Sequence, residues 1–183
     1  MVEKTTEFKI KQTEIHGLLE IDVNVVEDER GWFQEKFQKA KLVAVGFPSD
    51  FNPVQHSVSY NKQVGVTRGI HAEPWEKYIS LISGKAFAVF VDLRKGDSFG
   101  KKVAIELSAT KVVFLPRGVG NSFQVLEPDT YYSYLVNEHW SPEAKYQAVN
   151  LADPDLAIEW PISLDKAIIS EKDRNLPMIG NLK

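Results

Sequence analysis

Between Ile79 and Leu93 the chain reads ISLISGKAFAVFVDL. The stretch is almost wholly apolar, shows no regular polar alternation, and breaks once, at Ser83-Gly84. Its longest apolar run, Ala86 to Val91, falls far short of the ~20 residues that span a bilayer. Runs of this length without alternation indicate strands buried on both faces, here two that join or meet near Ser83-Gly84. Such strands need neighbours on each side and covering layers above and below.

The rest of the chain supplies those neighbours. Short β-branched and aromatic stretches at 18–26, 31–38, 54–60, 64–71, 78–83, 85–93, 102–107, 111–115, 122–126 and 131–137 read as strands. Asp-Glu-Arg-Gly, Ser-Gly, Lys-Gly-Asp and Glu-Pro-Asp punctuate them with turn chemistry. Helical signals are few: 39–45, closed by Gly46 as a C-cap, and a short segment at 164–170. This pattern predicts an all-β sandwich or barrel, a single domain over 1–183, with inward side chains around a small cavity.

Lys and Arg number 22 against 25 Asp and Glu, so the net charge of -3 gives no broad basic field for nucleic acid. There is no cysteine, hence no disulfide framework or thiolate metal site. The first residues, MVEKTTEFKIKQTEIHG, contain no apolar core of a secretory signal. A cytoplasmic protein with no membrane partner is the expectation.

Just before the apolar pair stands VTRGIHAEPWEKY, Val66 to Tyr78, which gathers Arg68, His71, Glu73, Glu76 and Lys77. The frame Gly65, His71, Glu73, Lys77, Gly84 resembles the first motif of the cupin superfamily, and Pro116 to Asn121 resembles the second. In that superfamily imidazoles and a carboxylate form a divalent-metal cage. Here the set is His71, Glu73, Lys77 and Asn121, and a protonated ammonium has no lone pair to offer a metal. The site therefore reads as metal-free, without a cofactor, with Lys77 supplying positive charge.

Further stretches follow in the order of one family. DERGWFQEKF, VQHSVSY, VTRGIHAEPWEKYISLISG, VDLRKGDSFG, FLPRGVGNSFQVL, YLVNEHWSPE, DPDLAIEWP and ISEKDRNLP together resemble the dTDP-4-dehydrorhamnose 3,5-epimerases, from about Val23 to Pro177. The resemblance implies a cupin jelly-roll barrel, a homodimer and a bound nucleotide sugar. It implies His71 as catalytic base with Asp173 as its carboxylate partner, Tyr134 on the opposite face, and Lys77 near the C4 oxygen. Arg30, Phe33 and Glu35 match nucleotide contacts made partly across the dimer, and Arg68 matches an arginine beside the diphosphate. Gln55 and Ser57 fall in the family's Gln-x-Asn strand, with Ser57 replacing the Asn. Glu73 is a hydrogen-bonding candidate at the cavity mouth, and Trp140 a stacking candidate. The usual His-Gly-Phe is Asn121-Ser122-Phe123, and a paired Tyr-Tyr is His139-Trp140. Asn121 is carried over as a substrate contact.

The residue types suit the chemistry. A 4-keto sugar has acidic hydrogens at C3 and C5, because the carbonyl holds the resulting charge as an enolate. Inversion takes a proton from one face and returns one to the other. Histidine, with an ordinary pKa of about 6.5, suits the base; tyrosine, at about 10, suits the acid. The expected reaction inverts C3 and C5 of dTDP-4-dehydro-6-deoxy-D-glucose to give dTDP-4-dehydro-L-rhamnose. Inversion at one carbon of another nucleotide-linked 4-keto sugar stays open, as does a non-catalytic sugar-nucleotide-binding cupin. A metal-dependent cupin is disfavoured by Lys77 and Asn121. His16 and His56 are expected to be structural or at the surface, and Tyr131 and Tyr132 to be strand packing.

Overall fold

The computed structural model describes residues 5–182. The apolar pair forms two strands, β7 (Lys77–Ser83) and β8 (Ala86–Asp92), each almost wholly buried. They do not pair with each other. The chain steps from one sheet to the facing one through Gly84, at φ +86°, where a Cβ would lie 2.1 Å from Thr130 Oγ1. Only glycine can make so tight a crossing.

Six strands form the first sheet, in the order β1 (Phe8–Gln12), β2 (Leu19–Val23), β10 (Lys111–Leu115), β7, β12 (Thr130–Val136) and β5 (Gln55–Asn61). Five form the second, in the order β13 (Gln147–Ala148), β6 (Thr67–Ala72), β11 (Val119–Val125), β8 and β9 (Lys102–Leu107). Every ladder between named strands is antiparallel. This is the jelly-roll barrel that the sequence implied, with two short α-helices and a 3₁₀ turn, Ile179–Leu182, among the described residues.

Three apolar layers hold it together. Between the sheets pack Ile79, Leu81, Phe90, Val113, Leu115, Phe123 and Tyr132. On the outer face of the six-stranded sheet, Leu42, Phe47 and Phe51 cover Leu19, Ile21, Tyr78 and Phe114. Their rings meet edge to face, as with Phe47 and Phe114 at 4.9 Å. On the outer face of the five-stranded sheet, Val149, Leu151, Leu156 and Ile179 from the C-terminal part cover Ile70, Ala72, Val89 and Val91. Each fully buried large apolar side chain contributes about 1.5–3 kcal/mol.

The helix expected at 39–45 is α1 (Lys39–Ala44), with Gly46 at φ +100° in its C-terminal turn. The second expected helix is displaced. Residues 164–170 instead run beside β6, with Ile168 N donating to Gly65 O and Thr67 N to Ile168 O, both at 2.9 Å. Those backbone groups are committed to a parallel bridge, so the helix α2 (Glu171–Arg174) starts only after Ser170. The expected strand 18–26 divides into β2 and β3 (Val26–Asp28), and 31–38 shortens to β4 (Gly31–Phe33). β3 and β4 form a hairpin bonded to neither large sheet. β1 and β13 were not expected.

Candidate active site

Part of the barrel interior is left open. A cavity of about 580 Å³ replaces apolar packing with ionisable and polar side chains. The six-stranded sheet contributes Ser59 and Asn61 from β5, Lys77 from β7, and Tyr132 and Tyr134 from β12. The five-stranded sheet contributes Arg68, Gly69 and His71 from β6, and Asn121 and Phe123 from β11. Glu73, Ile168 to Ser170 and Asp173 also line it.

A register shift lets β6 present two functional side chains. Asn121 pairs with His71, but Phe123 pairs with Arg68, so two steps on β11 oppose three on β6. In a regular strand residues three apart point to opposite faces; the extra residue brings Arg68 and His71 to the same cavity. Gly69 sits in this bulge at φ +119°, and a Cβ there would lie 2.5 Å from Ser122 Cβ and 2.6 Å from Asn121 O.

Asp173 is brought to His71 by α2. The Ser170 hydroxyl caps that helix by accepting from Asp173 N at 3.1 Å. Asn150 ties its end down, Nδ2 donating to Arg174 O at 2.8 Å. Asp173 Oδ1 then lies 2.8 Å from His71 Nε2, and Oδ2 accepts from Gly69 N at 3.3 Å. Burial alone pushes the Asp173 carboxyl up, but the bond and charge of His71, the Gly69 N–H and Ser170 outweigh it and hold it below its ordinary value. An ionised carboxylate only accepts, so Nε2 carries the hydrogen and the neutral ring keeps its lone pair on Nδ1.

Opposite, Lys77 is 4% exposed. Burial lowers its pKa, and the charge of Glu73 offsets this in part. Lys77 Nζ lies 2.5 Å from Glu73 Oε2, a close ion pair in which no donor is well aligned on that oxygen. The same ammonium stands 5.2 Å from the centroid of the Tyr134 ring. A cation thus occupies the third position of the cupin-like frame and already neutralises the carboxylate there.

Of the residues singled out from sequence, His71, Asp173, Tyr134, Lys77, Glu73, Arg68 and Asn121 converge on this cavity. Gln55 and Ser57 share a face of β5 with Ser59 but lie beyond the lining, Gln55 Nε2 donating to Ser57 Oγ at 3.2 Å. Arg30, Phe33, Glu35 and Trp140 are not brought to the cavity of their own chain. Arg30 pairs with Asp28, Glu35 with Lys41 at 2.5 Å, and Phe33 and Trp140 are exposed at 63% and 59%. His16 and His139 are exposed; His56 bonds Ser133 Oγ at 2.7 Å.

Three contributors were missed. Asn61 Oδ1 accepts from Arg68 Nε at 3.0 Å and holds the guanidinium at the wall. Ser170 positions Asp173, and its Ser-x-x-Asp spacing is a capping signal readable in the sequence. Tyr132, expected to be strand packing, is buried in the core and also lines the cavity.

Known proteins resemble this chain over nearly its whole length. A family model for dTDP-4-dehydrorhamnose 3,5-epimerase matches residues 12–181. The Protein RmlC homolog of Streptococcus pyogenes is 48% identical over 176 residues, covering 93% of this chain and 88% of that protein. The dTDP-4-dehydrorhamnose 3,5-epimerase of Methanothermobacter thermautotrophicus is 35% identical over 176 residues, covering 92% and 93%. The structure of RmlC from Streptococcus suis in complex with dTDP-D-xylose matches with a TM-score of 0.91 at 45% identity, covering 98% of this chain and 95% of that one.

Proposed function

The chain belongs to the dTDP-4-dehydrorhamnose 3,5-epimerase family and is an isomerase, and we propose that it works by proton transfer between His71 and Tyr134 across the cavity. The substrate is dTDP-4-dehydro-6-deoxy-D-glucose and the product dTDP-4-dehydro-L-rhamnose. One observation carries the reading: a histidine on one sheet, paired with a carboxylate from α2, and a tyrosine on the facing sheet line a single cavity.

The arrangement matches what inversion demands. The sugar ring lies between the walls with its 4-keto oxygen toward Lys77. The His71 imidazole takes the proton from the ring carbon, and Asp173 stabilises the imidazolium that results. The electron pair moves onto the carbonyl oxygen, and the enolate is held by the Lys77 ammonium. Tyr134 then delivers a proton to the same carbon from the other face, and the carbonyl re-forms. Because C3 and C5 both flank C4, one base, one acid and one cation serve both centres. Arg68, fixed through Nε by Asn61, keeps its two terminal nitrogens for the diphosphate. Simple binding of a sugar nucleotide would leave the dyad and the facing phenol without a task.

The remaining assignments belong to the same reading. Two copies form a homodimer in which Arg30, Phe33 and Glu35 reach the nucleotide of the neighbouring copy, while Gln55 and Ser57 continue the β5 face beyond the lining of their own cavity. The cysteine-free composition supports a cytoplasmic enzyme.

The test is product analysis by NMR in heavy water. Substrate turned over by the enzyme should carry deuterium at C3 and C5. His71→Ala should slow that exchange by about 10²–10⁴-fold. Product without deuterium, or full exchange by the variant, removes His71 as base.

A further inference from the structure

Where the family's usual histidine would stand, this chain has Asn121, and the amide is not free to choose its orientation. Asn121 on β11 is the ladder partner of His71 on β6 and lines the cavity beside it. Its Oδ1 accepts from Tyr132 Oη at 2.8 Å. Tyr132 comes from the facing sheet, on the strand that carries Tyr134. Its ring stacks on Phe123 at 4.0 Å with planes 10° apart, so packing fixes where the hydroxyl points. Complete burial raises the phenol far above its ordinary range, and the group stays protonated as a donor.

A carboxamide has an oxygen that accepts and a nitrogen that donates. With the oxygen held on Tyr132, the Nδ2 end is turned away from it, and among the described residues no acceptor takes a hydrogen bond from Nδ2. We propose that Asn121 Nδ2 donates to an oxygen of the sugar next to the carbon that His71 deprotonates, and that Tyr132 is the positioning residue that sets the amide for this contact. The inference rests on the His71 and Tyr134 reading above and adds a second donor to it.

The choice of amide has a chemical consequence. His71 becomes a cation as it takes the proton. A second imidazole alongside would titrate in the same pH range and, once charged, oppose that step. An amide donates at every pH and adds no charge beside the imidazolium.

A double-mutant cycle tests this, read by turnover and deuterium exchange with dTDP-4-dehydro-6-deoxy-D-glucose. Asn121→Ala should lower kcat by about 100- to 300-fold, within the range for loss of one transition-state donor. The isosteric Asn121→Asp, which cannot donate when ionised, should lose as much and guards against a folding defect in the alanine variant. Tyr132→Phe keeps the stacked ring and should lower kcat about 5- to 10-fold with KM nearly unchanged. In the Asn121→Ala background the Tyr132→Phe change should have no further effect on kcat, although its shift in Tm persists. An equal loss in both backgrounds means that Tyr132 does not act through Asn121 and overturns the positioning role. Asn121 variants within twofold of wild type overturn the donor. His71→Ala measured alongside separates these failures from failure of the parent reading, since full exchange there would sink the base itself.

Discussion

Burying an ammonium is costly and lowers the Lys77 pKa, and Glu73, 2.5 Å away, offsets part of that cost. Stability and catalysis can be separated at this pair. Lys77→Met leaves a carboxylate with a 15% exposed side chain and no counter-ion. Breaking a buried pair typically costs 3–5 kcal/mol; with the cavity open to solvent on one side, about 1–3 is expected here. Adding Glu73→Gln removes the orphaned charge, so the double variant should recover most of the melting temperature. Neither variant should recover activity, which should stay at least about 100-fold down because the enolate has lost its cation. Turnover regained together with Tm would mean that Lys77 is structural. His71, Glu73 and Lys77 were legible in sequence because they sit on neighbouring elements of one short segment. Tyr134 and Asp173 were legible only through the order of several motifs. Asn61 and Tyr132 were not, since each acts through a partner brought to it by strand pairing and sheet stacking.

The strand β6 works because of one bulge, and Gly69 permits it. Alanine at this position meets two separate obstacles: a backbone at φ +119°, and a Cβ 2.5 Å from Ser122 Cβ on the adjacent strand. Gly96 supplies the control, with φ +132° and open space where its Cβ would go. Gly96→Ala should therefore cost only the conformational part, about 1–3 kcal/mol. Gly69→Ala should cost about 1–3 kcal/mol more, because β11 has to give way. It should also abolish turnover, since Arg68 and His71 share the cavity only through the bulge. Urea unfolding of the two variants beside activity assays measures both effects, and equal costs would remove the close-packing argument. The same scale shows what sequence pattern conveys. Strands with apolar runs or clear turns were readable. β1 (FKIKQ), whose two lysines and glutamine are exposed, and the two-residue β13 were not. The segment 164–170 has helical spacing, but its backbone bonds are taken by β6, and no local signal announces a partner a hundred residues away.

At the scale of the molecule, two exposed features bear on the proposed homodimer. The covering layer of the six-stranded sheet shields only part of its outer face. Val58 and Tyr60 on β5, Tyr131 on β12 and Ile82 on β7 remain 40–52% exposed, and β5 is one of the sheet's two edge strands. The β3–β4 hairpin displays Trp32 and Phe33, 55% and 63% exposed, while pairing with no other strand. An isolated hairpin with such rings gains stability by packing elsewhere. A two-fold dimer through the sheet face would use both features and place Phe33 at the other copy's cavity. Val58→Asp with Ile82→Asp should then yield monomers by sedimentation velocity, with kcat/KM reduced at least about 10-fold. Subunit exchange decides whether Phe33 acts across the interface. A Phe33→Ala homodimer has intact bases but defective nucleotide contacts; a His71→Ala homodimer has the reverse. In a mixed dimer with contacts in trans, one cavity receives His71 from the first chain and Phe33 from the second, and is whole. The other receives both defects. At equal mixing half of the dimers are mixed, so about a quarter of all cavities become wild type and kcat/KM should rise to about that fraction. If Phe33 serves its own chain, every cavity in the mixed dimer keeps one defect, and exchange restores nothing.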